Sequence, residues 1–421
     1  MIRHPALRNL LLVAAAALGV GATTTPAGSL IDRARIDSTL QGFIDRQALV
    51  GTSALIYERD REVYFGAFGM ADREAAKPMK RDTIVQIFSM TKPVTGVALL
   101  TLYDQGRFQL DDPVAKYVPE FANLRVYAGL DAAGAAIYES PRRPITIRDL
   151  MRHTAGFLSD PDDTPVGVQF RDADPMNWNN TLTQMAERLA RVPLAYQPGT
   201  RWFYSRSVDV QAFLVERLSG ERYDQYLRKH IFGPLGMKDT GFLIPESERP
   251  RLATMYERAK DGTFTRGADI EYALNSKEWP LKPGGYGLVS TIDDYMRFAR
   301  MLLNEGELDG VRVLEPATVR LMATDAMPAG VTDKSWLPGK GQVGFGIDVA
   351  VRIAPPAGPD EASGAVGEFF WDGLANTLFW VGPKNKITAV LFTQYKPFGG
   401  ILLHKGFRDA VYAADPVAHA H

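Results

Sequence analysis

The sequence predicts an α/β fold in which both chain ends build one antiparallel sheet, flanked by helices, and the middle forms an inserted, mostly helical lobe. Three observations predict it. The β-rich runs 52–58 and 63–69 flank the charged turn 58–61, as in a hairpin. The runs 345–353, 368–371, 376–381 and 387–393 read as a second meander, with Gly382-Pro383-Lys384-Asn385 turning between the last two. From about 111 to 239 the chain is helical and loop-rich, with few strand signals.

The elements follow in order. Residues 35–47 read as a short amphipathic helix ahead of the first hairpin. A helix begins at Ser89, carries Val94, Val97, Ala98, Leu100 and Leu102, and stops near Gly106. Residues 208–218 form another, ended by Ser219-Gly220. A further helix starts at Ser290-Thr291, with Asp293 and Asp294 complementing the dipole in its first turn. Residues 402–413 close the fold as a helix.

At 421 residues the chain exceeds what one core usually supports, so two lobes are expected. The α/β lobe takes 31–110 and 290–412, and the helical lobe about 111–289, with a cleft expected between them. The first residues differ in kind. Arg3 and Arg8 precede the apolar stretch 10–20, and Val20-Gly21-Ala22 offers small residues for cleavage. This reads as a signal peptide over 1–22, and hence export to a periplasm or the medium with no stable membrane span after cleavage.

Composition excludes several classes of function. A net charge of -1 and the lack of a basic run give no footing for nucleic acid. With no cysteine in the chain, disulfides, thiol catalysis and thiolate metal sites are excluded. The six histidines include no pair at metal-ligand helical spacing; His153 reads as structural, and His419 and His421 belong to a tail. Gly339-Lys340-Gly341-Gln342-Val343-Gly344 has the spacing of a dinucleotide fingerprint but leads into a strand, so it reads as a loop.

The chemistry concentrates in Ser89-Met90-Thr91-Lys92. Three residues apart on one helix face, the hydroxyl and the amine can exchange a proton. At the positive end of the helix dipole the Ser89 Oγ and N–H suit a developing oxyanion, and the same field favours a neutral Lys92 amine. Tyr204, behind the Pro198-Gly199 turn, is a candidate base, because a lysine cation nearby eases loss of a phenol proton. Trp371-Asp372-Gly373 reads as a strand whose glycine marks close backbone approach, leaving the Leu374 N–H as a second oxyanion donor beside that of Ser89.

From about 35 to 412 the chain resembles the serine β-lactamase and penicillin-binding-protein-like superfamily, and within it the class C-related branch that includes family VIII carboxylesterases. The resemblance rests on ordered landmarks: Phe88–Lys92, Leu150-Met151-Arg152-His153-Thr154-Ala155-Gly156, Tyr204-Ser205, Phe232-Gly233-Pro234-Leu235-Gly236-Met237, 285–291 and Trp371–Gly373. It implies Ser89 as nucleophile, Lys92 assisting proton transfer, Tyr204 as general base and then acid, and Ser89 and Leu374 N–H groups as oxyanion hole. It implies no metal and no organic cofactor. Two departures bear on substrate. Trp371 stands where the lactamase-like third motif has the lysine that holds a β-lactam carboxylate. Arg206 stands where the second motif has asparagine.

The expectation is therefore a serine esterase acting on short acyl esters, with Trp371, Asp372, Gly373 and Arg206 against a small-molecule substrate. Two alternatives remain: a β-lactamase or D-amino-acid peptidase using the same nucleophile, and a non-catalytic binding protein on the same fold.

Overall fold

The computed structural model describes residues 31–413. The expected signal peptide and the tail histidines lie outside them.

Helix α1 (Arg33–Asp45) is capped by the Asp32 carboxylate, which accepts from the Arg35 N–H, and buries Ile36, Leu40 and Phe43. The hairpin follows as β1 (Gly51–Glu58) and β2 (Arg61–Asp72), with β3 (Lys77–Pro78) at its edge. Helix α2 (Thr91–Asp104), preceded by a 3-10 turn over Phe88–Met90, is buried from Thr91 to Leu102. A helix apolar around its whole circumference runs through a core rather than along a surface. Further on come α3 (Ser207–Ser219) and α4 (Ile292–Leu303), then β4 (Val343–Phe345), β5 (Ala350–Arg352), β6 (Phe369–Asp372), β7 (Leu378–Gly382), β8 (Ile387–Thr393) and α5 (Leu403–Tyr412).

The main sheet runs β4-β5-β6-β7-β8-β1-β2-β3, and each pairing is antiparallel. The two chain ends meet at its centre, where β1 pairs with β8 from Thr52↔Thr393 to Glu58↔Ile387. Every residue of β8 is buried. Helix α4 packs on β7, β8 and β1, and α1 packs on β2 and α5. A strand covered on both faces reads as a continuous apolar run, as Ile387–Thr393 does.

Two elements differ from expectation. The run 345–353 is not one strand: Phe345 ends β4, Ala350 starts β5, and Asp348 sits between them at φ +53. There the Gly346 N–H donates to the Val349 carbonyl and closes a turn, and a Cβ on Gly346 would lie 2.1 Å from the Met322 carbonyl oxygen. The loop-rich middle contains a hairpin, Val126–Leu130 with Ala136–Glu139. Its outer face is exposed, so apolar patterning announces it poorly.

Candidate active site

Ser89 lies in the 3-10 turn that enters α2, directly after Phe88, whose φ is +44. A non-glycine residue in that region costs about 1–3 kcal/mol and persists only where its surroundings over-determine it. Phe88 is held by packing against Met255 and Ala375. Because Ala375 follows Leu374, the contact ties the Ser89 turn to the turn after β6.

That second turn is also fixed from its other side. Gly373 lies just beyond β6, not within the strand, and a Cβ there would stand 2.4 Å from the Ile87 carbonyl oxygen and 2.3 Å from Thr377 Oγ1. Only a glycine lets the two backbones come so close. The Leu374 N–H has no hydrogen-bond partner among the described residues. An unspent donor beside the serine turn suits an oxyanion.

Lys92 places its Nζ 3.3 Å from Ser89 Oγ, 2.7 Å from the Gly285 carbonyl oxygen and 4.4 Å from the centre of the Tyr204 ring. It is 5% exposed. Burial lowers its pKa to about 7; Asp209 opposes the shift and Arg206 adds to it. Its Nζ donates to the Gly285 carbonyl, and in the neutral form the amine has a lone pair within reach of the serine hydroxyl. The Asp209 carboxylate holds the Gly285 N–H at 3.0 Å, which fixes that carbonyl against the lysine.

The Tyr204 phenol is pushed in the opposite direction. Burial raises its pKa well above the usual value, and contacts from Ser89 and the Trp371 indole (Nε1 to Oη 3.4 Å) offset this only in part. The shift runs opposite to the easing that a neighbouring lysine cation would give. The same burial that lowers the Lys92 pKa to about 7 raises that of Tyr204. His153 is buried and packs its ring 4.7 Å from that of Tyr204, with Nδ1 accepting the Ser205 N–H at 3.2 Å. Burial holds it well below the usual histidine range, so it is a neutral support for the tyrosine loop.

Ser89 and Tyr204 open on a cavity of about 710 Å³, which Trp371, Asp372, Gly373 and Leu374 also line. Lys92 stands behind this wall. Arg206 is not on it: its side chain is held by the Ser159 carbonyl, by Asp160 at 2.5 Å and by Asp209 at 3.7 Å, over the Tyr286 ring. Sequence reasoning missed Trp336, whose ring is 5.2 Å from Tyr204 and 6.1 Å from Trp371, and it missed Lys340 beside it. A glycine-flanked lysine was visible in the sequence, but nothing local said which wall it would reach. Among the described residues no cluster of side chains suits a metal ion.

A family model described as Beta-lactamase matches residues 36–411. The chain belongs to the Beta-lactamase family. It is a serine hydrolase of that fold, and among its relatives are Protein Rv1367c of Mycobacterium tuberculosis and Esterase EstB of Burkholderia gladioli. The first is 33% identical over 86% of this chain and 89% of the relative. The second is 30% identical over 95% of this chain and 99% of the relative. A solved structure of EstCE1, titled a hydrolase with promiscuous acyltransferase activity, superposes with a TM-score of 0.73 at 27% identity, covering 90% of this chain and 98% of its own.

Proposed function

We propose that this member of the family is an exported serine carboxylesterase that cleaves short acyl esters through a covalent acyl-Ser89 intermediate. The observation that carries this reading is a serine hydroxyl and a tyrosine phenol on the wall of an aromatic-lined cavity, with an amine whose pKa burial lowers to about 7 directly behind them. The name of Esterase EstB supports the substrate class, and the hydrolase and acyltransferase activities given for EstCE1 support acyl transfer. The arginine-flanked apolar leader supports export.

In the first half-reaction Ser89 Oγ attacks the ester carbonyl and its proton passes to the Lys92 amine. Charge on the carbonyl oxygen is met by the N–H groups of Ser89 and Leu374. Tyr204 then gives its proton to the departing alkoxide, and the Lys92 ammonium, under the tyrosine ring, restores it. In this scheme Lys92 is the base and Tyr204 the acid, an order that follows from the opposite effects of burial on an amine and a phenol. Water, or a second alcohol, takes the acyl group by the reverse sequence.

The test is hydrolysis of p-nitrophenyl butyrate and nitrocefin in parallel, with Ser89→Ala as control. Fast ester turnover with little nitrocefin turnover, both lost in the variant, is the expected result. Dominant nitrocefin turnover would make the protein a lactamase. An intact ester rate in Ser89→Ala would remove the nucleophile. Export is checked by the N-terminus of the protein recovered outside the cytoplasm, expected after residue 22.

A further inference from the structure

Trp371 replaces, in sequence, the lysine that a lactamase-like third motif would present to a substrate carboxylate. In space a lysine is there all the same. Lys340 ends the short 3-10 turn Leu337–Lys340 and extends its ammonium over the rings of Trp371, Trp336 and Phe398, at 4.9, 5.3 and 5.3 Å from their centres. It lines the same cavity as Ser89 and Tyr204, and its side chain is 10% exposed.

Among the described residues, Asp372 is the sole hydrogen-bond and ion-pair partner of this ammonium. An ammonium carries three N–H donors. The aromatic faces attract the charge but do not occupy donors as an oxygen does. Lys340 therefore keeps donors in reserve on the wall of the cavity.

Its neighbours do not compete for that role. His404 Nε2–H is committed to the Asn376 carbonyl at 2.9 Å, and burial lowers the histidine pKa, so the ring is neutral. Arg352 is bound by Glu361 at 2.6 Å, and Arg408 by Glu368 at 2.8 Å between the rings of Phe370 and Trp380. Lys405 and Arg408 line the cavity, whereas their counterions Asp409 and Glu368 lie behind it; Asp360, Glu361 and Asp372 line it too, with Glu361 spent on Arg352 and Asp372 on Lys340.

We infer that Lys340 is a specificity-determining residue that holds a carboxylate carried by the ester substrate, restoring in space the charge that Trp371 removes from the motif. The inference rests on the esterase reading above.

The experiment compares p-nitrophenyl hexanoate with the p-nitrophenyl monoester of adipic acid, which has the same chain length but ends in a carboxylate. It also compares 4-nitrophenyl butyrate with 3-carboxy-4-nitrophenyl butyrate, which carries the carboxylate on the alcohol side. The wild-type enzyme is expected to favour an acid ester in one of the two pairs, through KM. Lys340→Met should reduce that preference by about 10- to 100-fold, the worth of a charge-assisted hydrogen bond. Asp372→Asn, which frees the ammonium of its partner, should preserve or increase it. No acid preference in the wild type overturns the inference even if Lys340→Met fails to fold. So does a preference equally strong in Lys340→Met, or one lost equally in Asp372→Asn, which would mark the ion pair as structural. Preference for p-nitrophenyl 6-aminohexanoate would assign the aromatic box to a cation and overturn it as well. If no ester is turned over at all, the esterase reading itself fails and the inference falls with it.

Discussion

Two lysines approach the same cavity and meet different partners there. Lys92 and Lys340 are both largely buried, and both lie against aromatic rings, 4.4 Å from Tyr204 in one case and 4.9 Å from Trp371 in the other. They differ in the oxygen each meets first. Lys92 touches a carbonyl and a hydroxyl, neither of which repays the cost of burying charge, so its pKa falls to about 7. Lys340 touches the Asp372 carboxylate and is held as an ion pair. What sets the two lysines apart is the nearest acceptor, not burial.

The comparison breaks most easily at Lys92. Lys92→Met should reduce kcat/KM on a neutral ester by about 10²–10⁴-fold, the usual worth of general base catalysis. Lys340→Met should cost far less on that ester; equal losses would erase the distinction between the two sites. Next in size is Tyr204→Phe. If the phenol acts as the acid of acylation, the loss in kcat/KM should be large on an ethyl ester and much smaller on a p-nitrophenyl ester, whose leaving group needs no proton. Equal losses on both would restore the tyrosine to the role of base.

Gly373→Ala tests the geometry that joins the two turns. Its Cβ would collide with the Ile87 carbonyl, a backbone atom that cannot swing aside, so a stability loss of about 1–3 kcal/mol is expected in denaturant titration, with loss of activity. Unchanged stability would mean that the Ser89 turn tolerates displacement.

The smallest effects are the most diagnostic. The neutral amine is the active form and exists above its pKa, so kcat/KM should rise with pH through about 7. Asp209 raises the pKa of Lys92 and Arg206 lowers it. Asp209→Asn should therefore move this limb to lower pH, and Arg206→Met should move it to higher pH. A limb that moves the same way in both variants, or in neither, belongs to another group.

Much of this was legible in the chain. The hairpin, α2, α3, α4, α5 and β8 follow from apolar periodicity and turn residues, because each buries a face large enough to pattern the sequence. The meeting of the Ser89 hydroxyl with the Lys92 amine was legible because the two lie three residues apart where a 3-10 turn enters a helix, and there spacing is geometry. The left-handed backbone at Phe88 was not legible, since no property of a phenylalanine asks for it; packing against Met255 and Ala375 imposes it. Nor was the direction in which Tyr204 shifts, because a pKa answers to solvent exclusion by residues far away in the chain.

By itself, then, the sequence determined the sheet built from both ends and the local pairing of hydroxyl with amine. Local sterics and hydrophobic periodicity suffice for those. Tertiary structure alone decided which lysine is buried against a carbonyl and which is paired with a carboxylate. It carried Gly285 to the first and Asp372 to the second, and the balance between desolvation and a paired charge exists only once the chain has closed around them.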